Sequence, residues 1–131
     1  MEEVNNRFYR AFQNLSIEEM EKVWDHGDDT VCIHPGWDLF TGWLAIRESW
    51  IIIFQNINQI NFLITNTKIQ IFNDNAVVVC LENMESTTGE HIIKSGILAT
   101  NIFKKFGNEW LMIHHHGSTV ANYLPPNISL S

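Results

Sequence analysis

Histidine is the residue whose placement in this chain most directly suggests chemistry. Three consecutive histidines, His114 to His116, end an apolar segment of sequence WLMIHHHGS, and a fourth, His34, directly precedes Pro35. Imidazole has an unperturbed pKa near neutral, so it can accept or donate a proton under ordinary conditions. An imidazole inside an apolar segment must find a hydrogen-bond partner or line a cavity. These positions therefore predict a cavity in which proton transfer is possible.

The segment that carries the three histidines has the features of a β-strand. It follows the turn Gly107-Asn108, is left through Gly117 and is short and aromatic, which favours a strand over a helix. Side chains alternate between the two faces of a strand. One face carries Trp110, Met112, His114 and His116, and the other carries Leu111, Ile113 and His115. Because both faces are partly apolar, we expect both to be covered.

Helical periodicity occurs three times in the N-terminal half. Residues 2–14 place apolar residues along one stripe of an amphipathic helix. Ser16 and Glu19 form a capping box that begins a second, short helix. A third helix begins near Gly42 and runs through Phe54. Between the second and third helices, residues 30–34 predict a short strand, which Pro35 ends.

From residue 60 onward the apolar period changes to two, which is typical of strands. Four runs, at residues 60–72, 76–85, 91–106 and 109–116, are separated by turn-forming residues and predict an antiparallel meander. Helices followed by an antiparallel sheet indicate the α+β class. We predict one domain over residues 1–124 and a loose tail at residues 125–131.

Composition narrows the possible partners. The chain has 131 residues and a formal charge of −7, which argues against nucleic acid and against an anionic membrane surface. Its longest uncharged run, residues 49–67, contains six amide side chains and so is no membrane span. The first residues lack the apolar core of a secretory signal, which predicts a cytoplasmic protein with Cys32 and Cys80 as reduced thiols.

Three local patterns carry a resemblance to a known family. They are IHPGWDLFTGWLAIRESW at residues 33–50, ATNIFKKFGNEW at residues 99–110 and MIHHHGS at residues 112–118. Together with the order of elements, they resemble the SnoaL-like branch of the nuclear transport factor 2-like superfamily, and the final strand is similar to that of the calcium/calmodulin-dependent kinase association domain. The resemblance implies a cystatin-like roll: three helices pack on a strongly curved, mostly antiparallel sheet that forms a cone with an internal pocket. It also implies a homodimer through the outer sheet face.

Members of this superfamily that isomerise steroids use a carboxylate before the proline of the first strand, a tyrosine on the first helix and an aspartic acid in the penultimate strand. Those positions correspond to His34, Phe8 and Asn101. All three differ, so the resemblance implies a pocket without ketosteroid isomerase chemistry.

The resemblance also implies which side chains face the pocket. It places Leu111, Ile113 and His115 inward, together with Glu82 and Asn101. The candidate catalytic residues are therefore His34, Glu82, Asn101 and His115. The candidate ligand-binding wall consists of Tyr9, Trp24, Trp37, Trp50, Phe54 and Ile113.

Interpretations other than acid-base catalysis remain open for these residues. A satisfied polar network at the bottom of a core needs no catalytic role. Two histidines and a carboxylate also match a facial metal triad, but the ligand spacing is not a recognised one, so we predict no metal and no cofactor. Cys32 and His34, two apart on a strand, are expected about 7 Å apart, too far for a Cys-His pair.

Two functions of different classes follow. The first is a small-molecule enzyme that performs proton transfer, cyclisation or hydration on an apolar carbonyl compound, with His34 as general base and His115, Asn101 or Glu82 orienting or donating. The second is a non-catalytic dimeric module that holds an apolar or weakly acidic metabolite, or a partner chain.

Overall fold

The computed structural model describes residues 1–126, which contain three helices and six strands. The helices are α1 (Glu2–Gln13), α2 (Ile17–Val23) and α3 (Trp43–Gln55). The strands are β1 (Val31–Ile33), β2 (Leu39–Thr41), β3 (Gln59–Phe72), β4 (Asn75–Thr88), β5 (His91–Phe106) and β6 (Glu109–Thr119). The predicted α+β class and the three helices are confirmed. No helix within residues 1–126 is long and apolar enough to cross a membrane.

All six strands form one sheet in the order β2-β1-β6-β5-β4-β3. Every neighbouring pair is antiparallel except β1 and β6, which are parallel. This order places β6 in the interior of the sheet, between β1 and β5. His115 consequently lies opposite Cys32 on one side and Asn101 on the other, so residues distant in sequence meet at its centre.

Local sequence signals account for the helix boundaries. The Ser16 hydroxyl accepts a hydrogen bond from the amide of Glu19 at 3.1 Å, which is half of the predicted capping box. Helix α3 has no side-chain cap and instead follows Gly42, whose φ of 85° favours glycine. The buried faces of α1 and α3 meet through Phe8, Phe12 and Trp50, whose rings contact edge to face at centroid distances of 4.8 to 6.2 Å.

A β-bulge in β6 changes which of its side chains face the core. Ile102 of β5 pairs with His114, but the next residue, Phe103, pairs with Met112, so Ile113 has no partner on β5. Met112 and His115 are therefore both buried on the same side of the sheet. Our prediction that Met112 faces outward and Ile113 faces the pocket was wrong, because strict alternation fails where one extra residue is inserted.

Two further strand features differ from the sequence prediction. Strand β2 was not predicted, because three residues between Asp38 and Gly42 carry too short a pattern. Strand β4 continues to Thr88, so the predicted loop at residues 86–90 shrinks to the turn at Gly89 and Glu90. Ser86 there pairs with Ile93, which shows that residues common in turns can also extend a hairpin. Most of the predicted tail, residues 127–131, lies outside the described residues.

Candidate functional site

A cavity of about 280 Å³ lies between α3, the segment after β1 and one face of the sheet. Three titratable side chains line it: His34, Glu82 and His115. The remaining lining residues are mainly aliphatic and aromatic, and the hydroxyl groups come from Ser95 and Thr119. Neither lysine nor arginine is among the described lining residues. The cavity is therefore apolar, with a few acceptors and no cation.

Glu82 is the only carboxylate among the described residues that line this cavity. It projects from β4 toward the helices and is 3% exposed. The hydroxyl of Tyr9 on α1 donates to its Oε2 at 2.6 Å. Burial raises the pKa of Glu82 from its ordinary 4.5 to about 7, and the bond from Tyr9 opposes this rise only in part. Glu82 therefore changes its protonation state near neutral pH.

Tyr9 links Glu82 to a buried amide. Its oxygen accepts a hydrogen bond from Nδ2 of Asn101 at 3.1 Å, and the same Nδ2 donates to Oδ1 of Asn5 at 3.0 Å. The Tyr9 oxygen also lies 3.3 Å from Sγ of Cys80. Burial raises the pKa of Tyr9 well above its usual range, and Glu82 adds to this effect. Tyr9 therefore remains a neutral phenol that donates to the carboxylate.

His115 completes the chain of hydrogen bonds. Its Nδ1 lies 2.6 Å from Oδ1 of Asn101, and because an amide oxygen can only accept, Nδ1 carries the proton. Burial lowers the pKa of His115 well below its usual range, and the nearby His34 lowers it further. The ring is therefore neutral at physiological pH, with a lone pair on Nε2. It packs against Phe8 at a centroid distance of 4.8 Å.

His34 is held by a separate pair of hydrogen bonds. The Ser49 hydroxyl donates to the carbonyl of Ile46 at 2.6 Å, so it accepts from Nε2 of His34 at 2.9 Å. Burial lowers the pKa of His34 to about 4, which leaves its ring neutral too. Trp50 contacts the ring edge to face at 4.7 Å, and Trp37 does so at 5.2 Å.

Cys32 lies closer to His34 than the strand spacing predicts. Its Sγ is 3.6 Å from Nε2 and 3.9 Å from Nδ1 of His34, which follows the last residue of β1, Ile33, and is no longer part of the strand. This contact does not produce a nucleophile. Burial raises the pKa of the Cys32 thiol, and no other cause acts on it, so the sulfur stays protonated.

The four candidate catalytic residues lie close together in the structure. Hydrogen bonds connect Glu82, Asn101 and His115 through Tyr9, and the rings of His34 and His115 are 6.5 Å apart between centroids. Asn101 itself is fully buried and lies behind the cavity wall. It therefore orients other groups and does not meet a ligand.

Most of the residues predicted to form the ligand-binding wall do not line the cavity. Trp37 does line the cavity, with 41% of its surface exposed at the mouth. The side chains of Tyr9, Trp50 and Phe54 pack behind the lining instead, in the aromatic cluster between α1 and α3. Trp24 packs on Trp43 at the other end of the core. Ile113 lines a separate depression beside Asp25 and Lys104, which the β6 bulge explains.

Sequence reasoning missed three polar residues of the site: Asn5, Tyr9 as a hydroxyl donor, and Ser49. We matched the family tyrosine to Phe8, but the hydroxyl that reaches the site comes from the next residue, Tyr9. Asn5 and Tyr9 are four apart on α1 and both fall on its buried face, a spacing that indicates a polar pair within the stripe. Residues 1–126 contain no group of three or more His, Cys, Asp or Glu side chains arranged to hold a metal ion.

The fold and the site define a class of protein, namely an α+β domain with a partly apolar cavity that is lined by buried titratable side chains. The sequence model of the SnoaL-like domain matches residues 1–122. The chain belongs to the SnoaL-like domain family, which confirms the resemblance seen in its local patterns.

Known proteins similar to this chain share its fold. A structure from Streptomyces avermitilis, described as a proposed dehydratase of the nuclear transport factor 2-like family, is 29% identical with a TM-score of 0.83, over 89% of this chain and 91% of that one. A structure from Thiobacillus denitrificans, described as a proposed calcium/calmodulin-dependent protein kinase type II association domain, is 26% identical with a TM-score of 0.82, over 91% and 94%. Structures described as cystatin-like folds are also similar.

A curated relative with this domain is a larger protein. F-box protein SKIP8 of Arabidopsis thaliana is 26% identical over 117 residues, which are 89% of this chain and 48% of that protein. The chain thus spans about half the length of the curated relative it matches.

Proposed function

We propose that this SnoaL-like domain binds a small, uncharged, largely apolar molecule in the cavity and catalyses proton transfer on it, of the type needed to remove or add water. Glu82 exchanges the proton, and His115 and His34 hold the polar end of the molecule. The observation that carries the proposal is Glu82 itself, a buried carboxylate on the cavity wall that titrates near neutral pH. The description of the Streptomyces structure as a proposed dehydratase is consistent with it.

The structure favours Glu82 over His34 as the base. Burial lowers the pKa of His34 to about 4, so its imidazole is a weak base, whereas Glu82 has a pKa of about 7. In a dehydration, the Glu82 carboxylate takes a proton from carbon while a double bond forms and the neighbouring C–O bond breaks. The protonated carboxyl then gives the proton to the departing hydroxide, so the products are an alkene and water.

Cavity size and charge limit the ligand. An apolar protein cavity of about 150 Å³ holds benzene, and the present cavity is about 280 Å³, so a molecule of about two fused rings fits. A carboxylate ligand would meet Glu82 and find neither lysine nor arginine among the described lining residues. A neutral molecule is therefore preferred over the weakly acidic one considered from the sequence.

The proposal is tested with 5-nitrobenzisoxazole, a neutral two-ring compound that opens to a coloured phenolate when a base removes its carbon-bound proton. We expect the protein to accelerate this reaction and the rate to rise with pH around 7, as Glu82 ionises. Glu82→Gln should lower the rate by about a hundredfold or more, because the amide cannot accept the proton. Glu85→Gln, on the same strand but bonded in register opposite Asn61 and Lys94, is the matched control. Equal rates for wild type and Glu82→Gln would contradict the proposal.

A second candidate function is association through the outer sheet face. Leu98 is 50% exposed and Val79 is 38% exposed on that face, so apolar surface is uncovered. The likeness to a proposed kinase association domain is consistent with this. Sedimentation should then give about 30 kDa, twice the 15.2 kDa of one chain, and Leu98→Asp should give the monomer. A wild-type monomer at micromolar concentration would contradict association.

A further inference from the structure

We infer that the cavity selects a ligand with a hydroxyl group that donates to Nε2 of His115, and that Tyr9 and Asn101 are the positioning residues that fix this polarity. The inference rests on the proposed function of the same cavity and names the substrate class, a neutral alcohol. The direction of each hydrogen bond between Glu82 and His115 determines this polarity.

The direction begins at Glu82. An ionised carboxylate only accepts, so the hydroxyl proton of Tyr9 points toward Oε2 of Glu82 at 2.6 Å. The Tyr9 oxygen then accepts, and its partner Asn101 must donate through Nδ2 at 3.1 Å. Asn5 supports this orientation of the amide independently, because its Oδ1 lies 3.0 Å from the same Nδ2. The Asn101 oxygen is thereby turned toward His115.

The last step sets the tautomer of His115. Its Nδ1 donates to the Asn101 oxygen at 2.6 Å, so the proton of the neutral ring is on Nδ1. Since His115 lines the cavity, the nitrogen that remains for a ligand is Nε2, which has a lone pair and no hydrogen. His34 likewise donates from Nε2 to Ser49, but its Nδ1 lies 3.9 Å from Sγ of Cys32, so His115 supplies the imidazole acceptor that remains for a ligand. All hydrogen bonds in the chain run in one direction, from His115 to Glu82, which strengthens each of them.

The cavity therefore holds more acceptors than donors. Glu82 and His115 each present an acceptor, and the hydroxyls of Ser95 and Thr119 can accept as well as donate. The donors among the described lining residues are these two hydroxyls and the indole N–H of Trp37. A buried acceptor without a partner is unfavourable, so a ligand that brings an O–H gains most. A ketone or ether oxygen placed at His115 has no proton to donate, so its lone pairs would face the lone pair of Nε2. An alcohol is also the group from which dehydration removes water.

The tautomer is measured by NMR of the protein labelled with ¹⁵N-histidine, at about pH 8, where the imidazoles are neutral. We expect His115 to show a protonated Nδ1 and an unprotonated Nε2. In Asn101→Leu the single tautomer should be lost and a mixture should appear. The matched control is Asn83→Leu, which removes another buried asparagine, one bonded to Leu63 and Thr65 away from the cavity. A proton on Nε2 of His115 in the wild type would overturn the inference.

The ligand preference is measured by calorimetry with 2-naphthol and 2-methoxynaphthalene, which share the ring system and the oxygen but differ in the donor. We expect 2-naphthol to bind about tenfold more tightly, the effect of one neutral hydrogen bond. His115→Phe should abolish the difference in affinity between the two compounds. If that variant does not fold, Asn101→Leu is measured in its place and should reduce the difference. Equal binding, tighter binding of the ether, or no binding of either compound would overturn the inference. Failure of 5-nitrobenzisoxazole turnover alone would refute the proposed reaction and leave the tautomer and the naphthol preference standing.

Discussion

Replacing Glu82 by glutamine should remove the part of the pH dependence of protein stability that Glu82 causes. In the folded protein Glu82 keeps its proton up to about pH 7, whereas in the unfolded chain it loses it at about 4.5. Between these values the unfolded state releases a proton that the folded state retains, so rising pH favours unfolding. The contribution of Glu82 is thus fully present below pH 4.5 and lost as the pH rises through 7. The pKa difference of about 2.5 corresponds to about 3 kcal/mol.

The amide side chain in the Glu82→Gln variant has no proton to lose, so this loss of stability disappears. The free energy of unfolding of Glu82→Gln minus that of the wild type should therefore rise by up to about 3 kcal/mol between pH 4.5 and a little above 7. Urea unfolding followed by tryptophan fluorescence at a series of pH values measures it, and the subtraction removes the contributions of the histidines. Glu85→Gln, which makes the same change on the same strand outside the cavity lining, is the matched control. A difference for Glu82→Gln that stays constant with pH would show that Glu82 is ionised in the fold at its ordinary pKa, and the reasoning would be refuted.

Three further perturbations test the surroundings of Glu82. His34→Gln should remove a pH dependence of stability that has the opposite sign. Burial lowers the pKa of His34 from 6.5 to about 4, so wild-type stability falls by about 3 kcal/mol as the pH drops between those values. The same urea titration should show that this fall is missing in the variant. Tyr9→Phe should cost about 1–3 kcal/mol in unfolding free energy by leaving the Glu82 carboxylate without its donor and should move the midpoint of the 5-nitrobenzisoxazole pH profile upward; an unchanged midpoint would show that the bond does not act on Glu82. Trp37→Ala should weaken 2-naphthol binding severalfold while changing thermal stability little, since the indole is 41% exposed at the cavity mouth; a large drop in melting temperature with unchanged binding would assign Trp37 to packing.

Much of the fold follows from the sequence, because periodicity and capping act locally. The stripe of α1, the Ser16 cap and the meander punctuated by Asn73-Asp74-Asn75 and Gly107-Asn108 all depend on neighbours within a few residues. The β6 bulge does not. It depends on the register between β5 and β6, and a single inserted residue moved Met112 into the core and Ile113 out of the pocket.

The candidate site, too, was predictable only in part from the sequence. His34, Glu82, Asn101 and His115 were found because strand alternation and family resemblance place them on one face, and the bulge at Ile113 did not change the face on which His115 lies. Tyr9 was predicted only as part of the ligand-binding wall. Its role as a hydrogen-bond donor was missed because its partner, Glu82, is 73 residues away in sequence. The same distance in sequence hid the tautomer of His115, which is set by a chain of contacts among α1, β4, β5 and β6.

The aromatic wall shows a further limit of sequence reasoning. Trp24, Trp50 and Phe54 are large and apolar, and such residues serve equally well as cavity lining or as core. Only the packing of α1 against α3 decides, and it places Trp50 with no exposed surface among Phe8, Phe12 and His34. Trp37, in the loop after β1, is left at the mouth because no helix covers it.

The central claim, that a buried carboxyl group exchanges a proton at neutral pH, is tested most directly by ¹³C NMR of the side-chain carboxyl groups in protein labelled with glutamate. One resonance, absent from Glu82→Gln, should titrate with a midpoint near 7. If the resonance that disappears in Glu82→Gln instead titrates near 4.5 in the wild type, the acid-base account of this site is contradicted.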